Sequence, residues 1–354
     1  MKKIKVLVTG INSGVGLSIY KSLKISELKL DIYCADVDNK FSLAPIFKKY
    51  LNFPKVEKKS SLKKIVAILK KNKIDVLFIG SEFEIEFFSK NSDIIFKKTN
   101  TKVCVQPYQT IKIFNNKLTT YNYLKNDVLM PKTIEVKNLI EAKKKCKELK
   151  FPFYIKPRIG TSARGIYLIN SVKDLEFYFD KVNKPILQKI IPNNNFVEYT
   201  CGIFKNNENE LIGPFIVKRF LKHGTSWVAS RVFSKKLARQ ILEITKRITF
   251  HGSINLQFKL GKNKKIYLLE INPRLSGTTV FRANLGFNEP EMFIKNFILR
   301  KKIKFKDQKI KGFLFRHFDE IFLVNKKIFK NKFLLKKFLL LVARDLLEKV
   351  LSNT

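Results

Sequence analysis

Two neighbouring runs of alternating apolar and polar residues, Ile254–Leu260 and Ile266–Arg274, constrain the fold of this 354-residue chain more than any other feature. Alternation with a period of two is typical of a β-strand with one buried face. The segment between the runs, Gly261–Lys265, is short and polar, which predicts a hairpin turn centred on Asn263 and Lys264. The sequence therefore predicts an antiparallel pair whose register follows from that centre.

The predicted register brings oxygen-bearing side chains onto one face of the pair. Gln257 faces Glu270, and Asn272 follows two residues later on the same face. One carboxylate with two amide carbonyls suits a hard cation that keeps some water and takes its other ligands from phosphate groups. We therefore expect Gln257, Glu270 and Asn272 to bind Mg²⁺ in a Mg-ATP complex, with Arg274 as a permanent cation beside it. The alternative is a hairpin whose polar face simply meets solvent.

The composition indicates a folded chain of two or three lobes without a specific nucleic-acid partner. Apolar residues make up 45% of the sequence, enough for a substantial interior. The formal net charge of +42 at first indicates a polyanionic partner. However, only 11 of the 71 basic residues are Arg, and the lysines are spread along the whole chain. Lys, Asn, Ile and Phe are abundant together, as an A+T-rich coding sequence would produce without selection for polyanion binding.

The compartment is predicted from cysteines and apolar runs. Cys34, Cys104, Cys146 and Cys201 lie far apart without a C-x-x-C pair, which indicates free thiols in a reducing compartment. The apolar run after Met1 is too short for a signal peptide, and no run of about 18 apolar residues follows. We expect a cytoplasmic protein.

The N-terminus has the pattern of a β-turn-α-β unit. The apolar strand Ile4–Val8 leads into the glycine-bearing turn Gly10–Gly16, the amphipathic segment Leu17–Leu23, and a second strand, Asp31–Ala35, that ends at Asp36. This order is the one expected of a dinucleotide site. The alternative is a tight turn that needs small residues only for packing a helix on a sheet. Further αβ units follow, so residues 1–108 are predicted to form a Rossmann-like parallel-sheet lobe.

A second informative stretch begins at the buried-looking strand that carries Lys156. The residues after it form a loop of small side chains between Gly160 and Gly165, before a further strand. Backbone N–H groups of such a loop can surround phosphate oxygens, and Lys156 would direct a point charge at the same phosphates. The alternative is a glycine-bearing hairpin without a ligand.

The segments that follow predict more strands and a basic tail. Arg219 and Arg231 come from a strand and a loop that we expect to face the cleft, where they could bind a substrate acid. Residues 301–354 are predicted to form a basic extension with an amphipathic helix over Lys326–Leu351. That helix is interpreted either as a packing element of its own domain or as a surface for an anionic membrane or a protein partner.

The order of these motifs resembles the ATP-grasp superfamily, in particular single-unit proteins similar to the carbamoyl-phosphate synthase large subunit. The resemblance covers roughly residues 3–300, and its most specific motifs are Asn255-x-Gln257 and Glu270-x-Asn272-Pro-Arg274. It implies an ATP-grasp domain over residues 109–300, with a small lid subdomain at about 130–190 and a central sheet at about 191–300. ATP would lie between the two sheets.

The resemblance also implies roles for matching residues. Lys117 and Lys156 would hold the ATP phosphates under the loop of Gly160, Thr161, Ser162 and Gly165. The backbone of Gln188, Lys189, Ile190 and Ile191 would contact adenine, and Glu198 would take the ribose hydroxyls. Lys189 stands where the family often has an acidic residue. Arg274 would stabilise the transferring phosphoryl group, with Lys156 and Arg219 as the other catalytic candidates.

The predicted function is an ATP- and Mg²⁺-dependent ligase, with Mn²⁺ as a substitute ion, that activates a carboxylate as an acyl phosphate and couples it to an amine. In this family the N-terminal lobe usually helps to bind the carboxylate, which favours the packing interpretation of the glycine turn. The predicted partners are these small molecules, with a homodimer compatible with the sequence. Two alternatives stay open: an NAD(P)-dependent oxidoreductase that uses the N-terminal turn, and a non-enzymatic binding protein regulated by ATP.

Overall fold

A computed structural model of the chain describes residues 3–37, 46–160, 164–191, 197–222, 224–261 and 264–317. These residues form three β-sheets of five, four and six strands, with helices on their faces. This mixed α/β architecture confirms the predicted fold class. Among the described residues, no helix is long and apolar enough to cross a bilayer.

The N-terminal sheet is parallel throughout, with strand order β3-β2-β1-β4-β5. Its strands are β1 (Ile4–Val8), β2 (Leu30–Asp36), β3 (Tyr50–Asn52), β4 (Val76–Phe78) and β5 (Lys102–Cys104). Its helices are α1 (Gly14–Lys24), α2 (Ser61–Asn72), α3 (Glu82–Thr99) and α4 (Tyr108–Phe114). The central strand β4 and residues 6–8 of β1 are fully buried apolar runs, as expected for a parallel sheet covered on both faces.

The smallest sheet is antiparallel, with order β6-β9-β7-β8. Its strands are β6 (Thr133–Glu135), β7 (Phe153–Pro157), β8 (Tyr167–Ile169) and β9 (Pro185–Lys189). The helices of this region are α5 (Lys117–Leu124), α6 (Leu139–Leu149) and α7 (Val172–Phe179). Leu149, Phe153, Leu175 and Leu187 form the buried core between sheet and helices.

The largest sheet is also antiparallel and has the order β14-β13-β10-β11-β12-β15. Its strands are β10 (Glu198–Lys205), β11 (Leu211–Lys222), β12 (Thr225–Val232), β13 (Gly252–Leu260), β14 (Ile266–Asn272) and β15 (Phe313–Phe315). Its helices are α8 (Lys235–Thr245), α9 (Thr279–Asn284) and α10 (Glu289–Phe293), the last continuing into a π-helical turn, Ile294–Ile298.

The predicted hairpin of β13 and β14 is present, but its register changes along its length. Gln257 pairs with Glu270 and Asn255 with Asn272, as predicted. Nearer the turn, Phe258 pairs with Leu268, one residue out of the predicted register. A β-bulge between the two halves accounts for the difference, because the extra residue, Leu269, shifts the pairing by one. The predicted turn centre therefore gives the correct pairs only in the half of the hairpin that lies beyond the bulge from the turn, where Gln257 pairs with Glu270 and Asn255 with Asn272.

The N-terminal sheet and the largest sheet share one hydrophobic cluster. Val6 and Phe78 of the first pack together with Phe215 of the second and with Phe293 of α10, and the rings of Phe78 and Phe293 meet edge to face at 5.7 Å. The side-chain amide of Gln106 adds a polar joint, because it accepts from His251 N at 3.0 Å and donates to Ser253 O at 3.0 Å. The predicted boundary at residue 108 is therefore crossed by a continuous core.

The segment after residue 300 takes part in the largest sheet. β15 pairs with β12 as the edge strand. Residues 1–316 form one compact unit. The predicted helix Lys326–Leu351 lies outside the described residues, so its two interpretations stay predictions.

Candidate functional site

A cavity of about 670 Å³ lies where the three sheets meet. The small sheet contributes Lys156 and Gln188, the largest sheet contributes Gln257 and Glu270, and the N-terminal lobe closes one end with residues 12–15 and 80–83. Most of the predicted site residues line it: Lys117, Lys156, Gly160, Gln188, Lys189, Ile190, Ile191, Glu198, Arg219, Gln257, Glu270 and Arg274. The sequence-based assignment thus converges on one place.

Lys156 enters this cleft from the end of β7 and is almost fully buried. Its Nζ donates to Gln188 Oε1 at 2.6 Å, and Gln188 Nε2 in turn donates to Thr133 Oγ1 at 2.8 Å. The pKa of Lys156 is lowered to about 7, mainly by burial and also by the positive charge of Lys117, while Glu270 and Glu198 act in the opposite direction. An anion that enters the cleft would favour the charged form.

Glu270 lies at the floor of the cleft with partners on both oxygens. Asn272 Nδ2 donates to Oε1 at 2.6 Å, and Lys117 Nζ lies 3.4 Å from Oε2. Burial acts to raise the pKa of Glu270, but the charges of Lys117 and Arg274 and the bond from Asn272 outweigh it and hold the pKa below its usual value. Glu270 is therefore an ionised carboxylate inside the protein.

The donor set around Glu270 fits a hard divalent cation. Gln257 pairs directly with Glu270 and lines the cavity, whereas Asn272 is buried behind Glu270 and contacts its carboxylate. Within the described ranges no cluster of three His, Cys, Asp or Glu residues occurs. A single carboxylate with amide oxygens suits an ion that takes its other ligands from phosphate and water.

Lys117 is positioned by the start of α5. Asn116 caps this helix, since its Oδ1 accepts from Leu118 N at 3.0 Å. The Lys117 side chain donates to Gly160 O at 3.0 Å, which links α5 to the start of the small-residue loop. Gly165 does not line the cavity, and Thr161 and Ser162 lie outside the described residues.

Glu198 and Arg219 form a buried ion pair at the edge of β10 and β11. Arg219 Nη1 also donates to Ser226 Oγ at 3.2 Å. Arg219 thus faces the cleft as predicted, but its charge is already matched by the carboxylate predicted to bind ribose. Arg231 does not reach the cleft: its guanidinium binds Asp307 at 2.7 Å and stacks 3.8 Å from the ring centre of Phe215. That prediction is wrong because Asp307, from the segment after residue 300, folds back onto it.

Arg274 meets a partner that the sequence did not indicate. Its Nη2 donates to Glu82 Oε2 at 2.9 Å, and its Nη1 donates to Leu275 O at 3.1 Å. Glu82 is the first residue of α3, in the N-terminal lobe. Two residues 192 positions apart are brought together only by the packing of the lobes, so no local pattern could have revealed this pair.

Arg316 is a second cleft residue that the sequence reasoning missed. It follows β15 and lines the cavity, where its Nε donates to Ser226 O at 3.0 Å and its Nη2 to Gly277 O at 3.1 Å. Burial lowers the pKa of this guanidinium from its usual value. The predicted site ended at residue 300, which is why a cation from the returning strand was not considered.

The N-terminal turn is explained by packing. A Cβ at Gly16 would lie 2.2 Å from Gly10 O, so the turn and α1 can approach only without a side chain there. Asp36, the acidic residue of the dinucleotide pattern, accepts from Asn12 N at 2.9 Å and so holds the turn itself. These contacts favour the packing interpretation over a dinucleotide site.

Comparison with known proteins links this geometry to a family. Residues 184–318 match the family described as "ATP-grasp in the biosynthetic pathway with Ter operon". The chain is 26% identical over 227 residues to a D-alanine–D-alanine ligase of Petrotoga mobilis, covering 57% of the chain and 72% of the ligase. It is 28% identical over 179 residues to an N5-carboxyaminoimidazole ribonucleotide synthase of Staphylococcus aureus, covering 48% of the chain but only 47% of that relative.

Solved structures agree with these matches. The ADP complex of N5-carboxyaminoimidazole synthetase from Staphylococcus aureus superimposes with a TM-score of 0.68 at 17% identity, covering 86% of this chain and 79% of the other. The biotin carboxylase domain dimer of Hydrogenobacter thermophilus 2-oxoglutarate carboxylase, with MgADP and bicarbonate, gives a TM-score of 0.69 at 14% identity, covering 87% and 73%. At such identities the likeness concerns the fold alone.

Proposed function

We propose that this chain is a member of the ATP-grasp superfamily and acts as an ATP- and Mg²⁺-dependent ligase that couples a carboxylate to an amine. The comparisons confirm the predicted fold, and the named relatives support the ligase chemistry and the use of ATP. The match spans about half the length of the synthase relative, so that relative's activity is not assigned to this chain, and the ligase activity is a proposal.

One observation carries the proposal: two lysines and one ionised carboxylate surround the same cavity. Lys117 and Lys156 approach from the small lobe, and Glu270 with Gln257 from the largest sheet. Positive charge over an acidic floor is the arrangement that a metal-bound triphosphate requires, because the lysines can bind phosphate oxygens while the carboxylate binds the ion. The Lys117–Glu270 contact at 3.4 Å would then be replaced by contacts of each residue to the nucleotide and its ion.

We assign the remaining cleft residues by their place along this cavity. The segment Gln188–Ile191 at the end of β9 would contact the adenine edge, and Glu198 the ribose. Mg²⁺ held by Gln257 and Glu270 would neutralise the triphosphate, with Asn272 orienting Glu270. Gly160, whose carbonyl accepts from Lys117, begins the loop that we propose to close over the phosphates.

The reaction needs positioned charges and no nucleophilic side chain. A carboxylate oxygen of the substrate attacks the γ-phosphorus of ATP, the bond to the β-phosphate oxygen breaks, and ADP leaves. Lys156 and Arg274 offset charge on the transferred phosphoryl group. The amine then attacks the acyl carbon and loses a proton, and inorganic phosphate leaves with the electrons of the broken C–O bond.

The two alternative functions have less support from the structure than the proposed ligase. Asp36 and Gly16 are used in packing the N-terminal turn, which weakens the case for an NAD(P) site. The tail on which the binding-protein alternative depends lies outside the described residues. We further propose small-molecule substrates and a cytoplasmic location, consistent with four free cysteines. A homodimer is also part of the proposal, since one structural neighbour is a dimer.

The proposal is tested by ADP release from purified protein with MgATP and panels of carboxylates and amines. We expect release that depends on one acid and one amine, and a loss of at least about a hundredfold in Glu270→Ala and Lys156→Ala. Lys246→Ala, which removes an exposed ion pair with Glu243, is the matched control and should keep full activity. Equal ADP release in all three variants would contradict the assigned site, and the absence of nucleotide binding would contradict the function.

A further inference from the structure

The cleft carries more positive charge than a metal-bound nucleotide accounts for. Among the described residues that line it, eight are basic and three are acidic, a formal excess of five positive charges. ATP with one Mg²⁺ carries about two negative charges, so positive charge is left in a partly enclosed space. A further anion is the simplest ligand to balance it.

The ion pairs leave five basic residues of the cleft without a carboxylate partner among the described residues: Lys156, Arg164, Lys189, Lys259 and Arg316. All three acids of the cleft already have a cation: Glu270 has Lys117, Glu198 has Arg219, and Glu82 has Arg274. Arg316 differs from Arg219 and Arg274, because its guanidinium donates to the neutral carbonyls of Ser226 and Gly277. Its charge is therefore not matched by any carboxylate of the described chain.

Arg316 and Arg274 flank the same loop. Arg274 donates to Leu275 O and Arg316 to Gly277 O, two residues apart, so these carbonyls are at most about 7 Å from each other. Across from the loop lies the start of α1, since a Cβ at Gly277 would be 3.9 Å from Gly14 O. Both guanidiniums thus lie at the part of the cavity that borders the N-terminal lobe.

The loop between them is held rigidly from behind. Arg282, which is fully buried and paired with the equally buried Glu289, donates to Thr278 Oγ1 at 2.8 Å and to Ser276 Oγ at 3.2 Å. The carbonyl that orients Arg316 therefore has a fixed position. A guanidinium held in advance by fixed acceptors loses little freedom when it binds an anion.

We propose that Arg316 binds an anionic group of the substrate, a carboxylate or a phosphate, other than the carboxylate that receives the phosphoryl group. This inference rests on the proposed function, in which Arg274 beside the metal strand serves the reacting group. Arg316, at the other end of the loop, then selects substrates that carry a second negative charge. The substrate class is a small acid with two anionic groups, in contrast to a monocarboxylate.

The chain contains a built-in reporter for this subsite. Trp227 is the single tryptophan of the sequence, and its carbonyl accepts from Arg316 N at 2.8 Å. The probes are acetate, malonate and inorganic phosphate, titrated into the full chain while Trp227 fluorescence is recorded. The titrations are run on the protein alone and again with Mg²⁺ and a non-hydrolysable ATP analogue at saturation, which occupies the proposed phosphate site.

We expect saturable changes with malonate or phosphate that persist with the analogue bound, and weaker binding of acetate. Arg316→Gln should weaken malonate and phosphate binding about tenfold or more, because it removes a charged pair of donors. Arg316→Lys should fall between, since it keeps the charge but loses the planar fork. If Arg316→Gln does not fold, Arg316→Lys provides the test in its place. Arg247→Gln, at an exposed pair with Asp127, should bind like the unmodified chain.

Several results would overturn the inference. They are the absence of any saturable change in the unmodified chain, equal affinity in Arg316→Gln, or loss of the response when the analogue is bound. Failure of the proposed function gives a different pattern, in which the analogue does not bind while the anion response of Arg316 is unaffected.

Discussion

At the scale of single residues, Lys156 and Glu270 show how burial and neighbouring charges decide ionisation. Burial disfavours the charged form of both side chains. Glu270 stays ionised because Lys117, Arg274 and Asn272 act on it, whereas the closest partner of Lys156 is the neutral amide of Gln188. The two residues therefore contribute differently: Glu270 brings a permanent charge, and Lys156 brings a charge that a ligand can induce.

Lys156 should take up a proton when nucleotide binds. Its pKa is about 7 in the free protein, so at pH 8 most of the amine is neutral. A triphosphate beside it favours the ammonium form and raises the pKa, so binding at pH 8 should take up as much as about one proton. Calorimetry in two buffers of different ionisation enthalpy measures this uptake.

The same calorimetry at pH 6 provides the first control, because Lys156 is then already charged and uptake should be small. Lys156→Met should show no uptake from this source at either pH. Identical apparent enthalpies in the two buffers at pH 8 for the unmodified chain would refute the prediction.

Glu84 predicts a pH dependence of stability in the N-terminal lobe. The pKa of this carboxyl is raised from 4.5 to about 7, mainly by burial and also by the charges of Asp36 and Glu57, while a hydrogen bond from Thr9 Oγ1 at 2.6 Å acts to lower it. Between these values the folded chain holds a proton that the unfolded chain has released, so stability falls as the pH rises from about 4.5 to 7. Above pH 7 the loss is complete and on the order of 3 kcal/mol.

Glu84→Gln should remove this loss. Urea unfolding should show the variant more stable than the unmodified chain at pH 8 and similar to it at pH 4.5, because the amide resembles the protonated acid. Glu86→Gln, on the exposed face of α3, is the control and should leave the pH profile unchanged. A parallel profile for Glu84→Gln and the unmodified chain would show that Glu84 does not titrate in this range.

At the scale of secondary-structure elements, much of the site was predictable because its residues sit at strand ends and on strand faces. Lys156 follows a run of apolar residues, and Gln257 and Glu270 alternate with buried ones. The alternation of apolar and polar residues therefore predicted where these side chains lie. The bulge at Leu269 was not predictable, because one extra residue changes the alternation of apolar and polar residues too little to be detected in the sequence. Glu82 was missed because its partner Arg274 comes from another lobe, and Arg316 because its acceptors are far away in the sequence, at Ser226 and Gly277.

Gly202, in β10, should tolerate no side chain. A Cβ there would lie 2.5 Å from Arg282 Nε and 2.9 Å from Glu289 Oε1, against a fully buried ion pair that cannot move into solvent. Gly202→Ala should therefore lower the free energy of unfolding by about 3 kcal/mol, combining overpacking with damage to a buried pair. Gly14→Ala, where a Cβ meets nothing within 4 Å, is the matched control. Denaturant unfolding measures both, and equal midpoints would show that β10 and α9 can separate to make room.

At the scale of the whole molecule, the sequence predicted the order of the lobes but not how the chain closes the site. The lid subdomain and the central sheet were implied by the resemblance to the ATP-grasp superfamily, whereas local periodicity indicates only a parallel N-terminal lobe and the hairpin of β13 and β14. It cannot indicate that residues 313–316 return to the edge of the largest sheet and bring Arg316 to the cleft, because this depends on a pairing between β12 and β15, such as Ala229 with Leu314, whose residues are about 85 positions apart. The common core of Phe78 and Phe293 is equally non-local.

This return of the chain leads to a prediction about where the functional unit ends. Every described residue that lines the cleft lies at or before Arg316, so a chain that ends at His317 should bind MgADP like the full chain. A chain that ends at Lys311 loses β15, the Gly312 carbonyl that accepts from Arg231 N at 3.1 Å, and Arg316. It should unfold at a lower temperature and lose the anion response, whereas MgADP, which depends on Lys117, Lys156 and Glu270, should still bind.

Calorimetric titration with MgADP and thermal unfolding of both shortened chains test this prediction. Loss of MgADP binding on removal of residues 318–354 alone would instead favour the alternative in which the tail carries the function and ATP only regulates it.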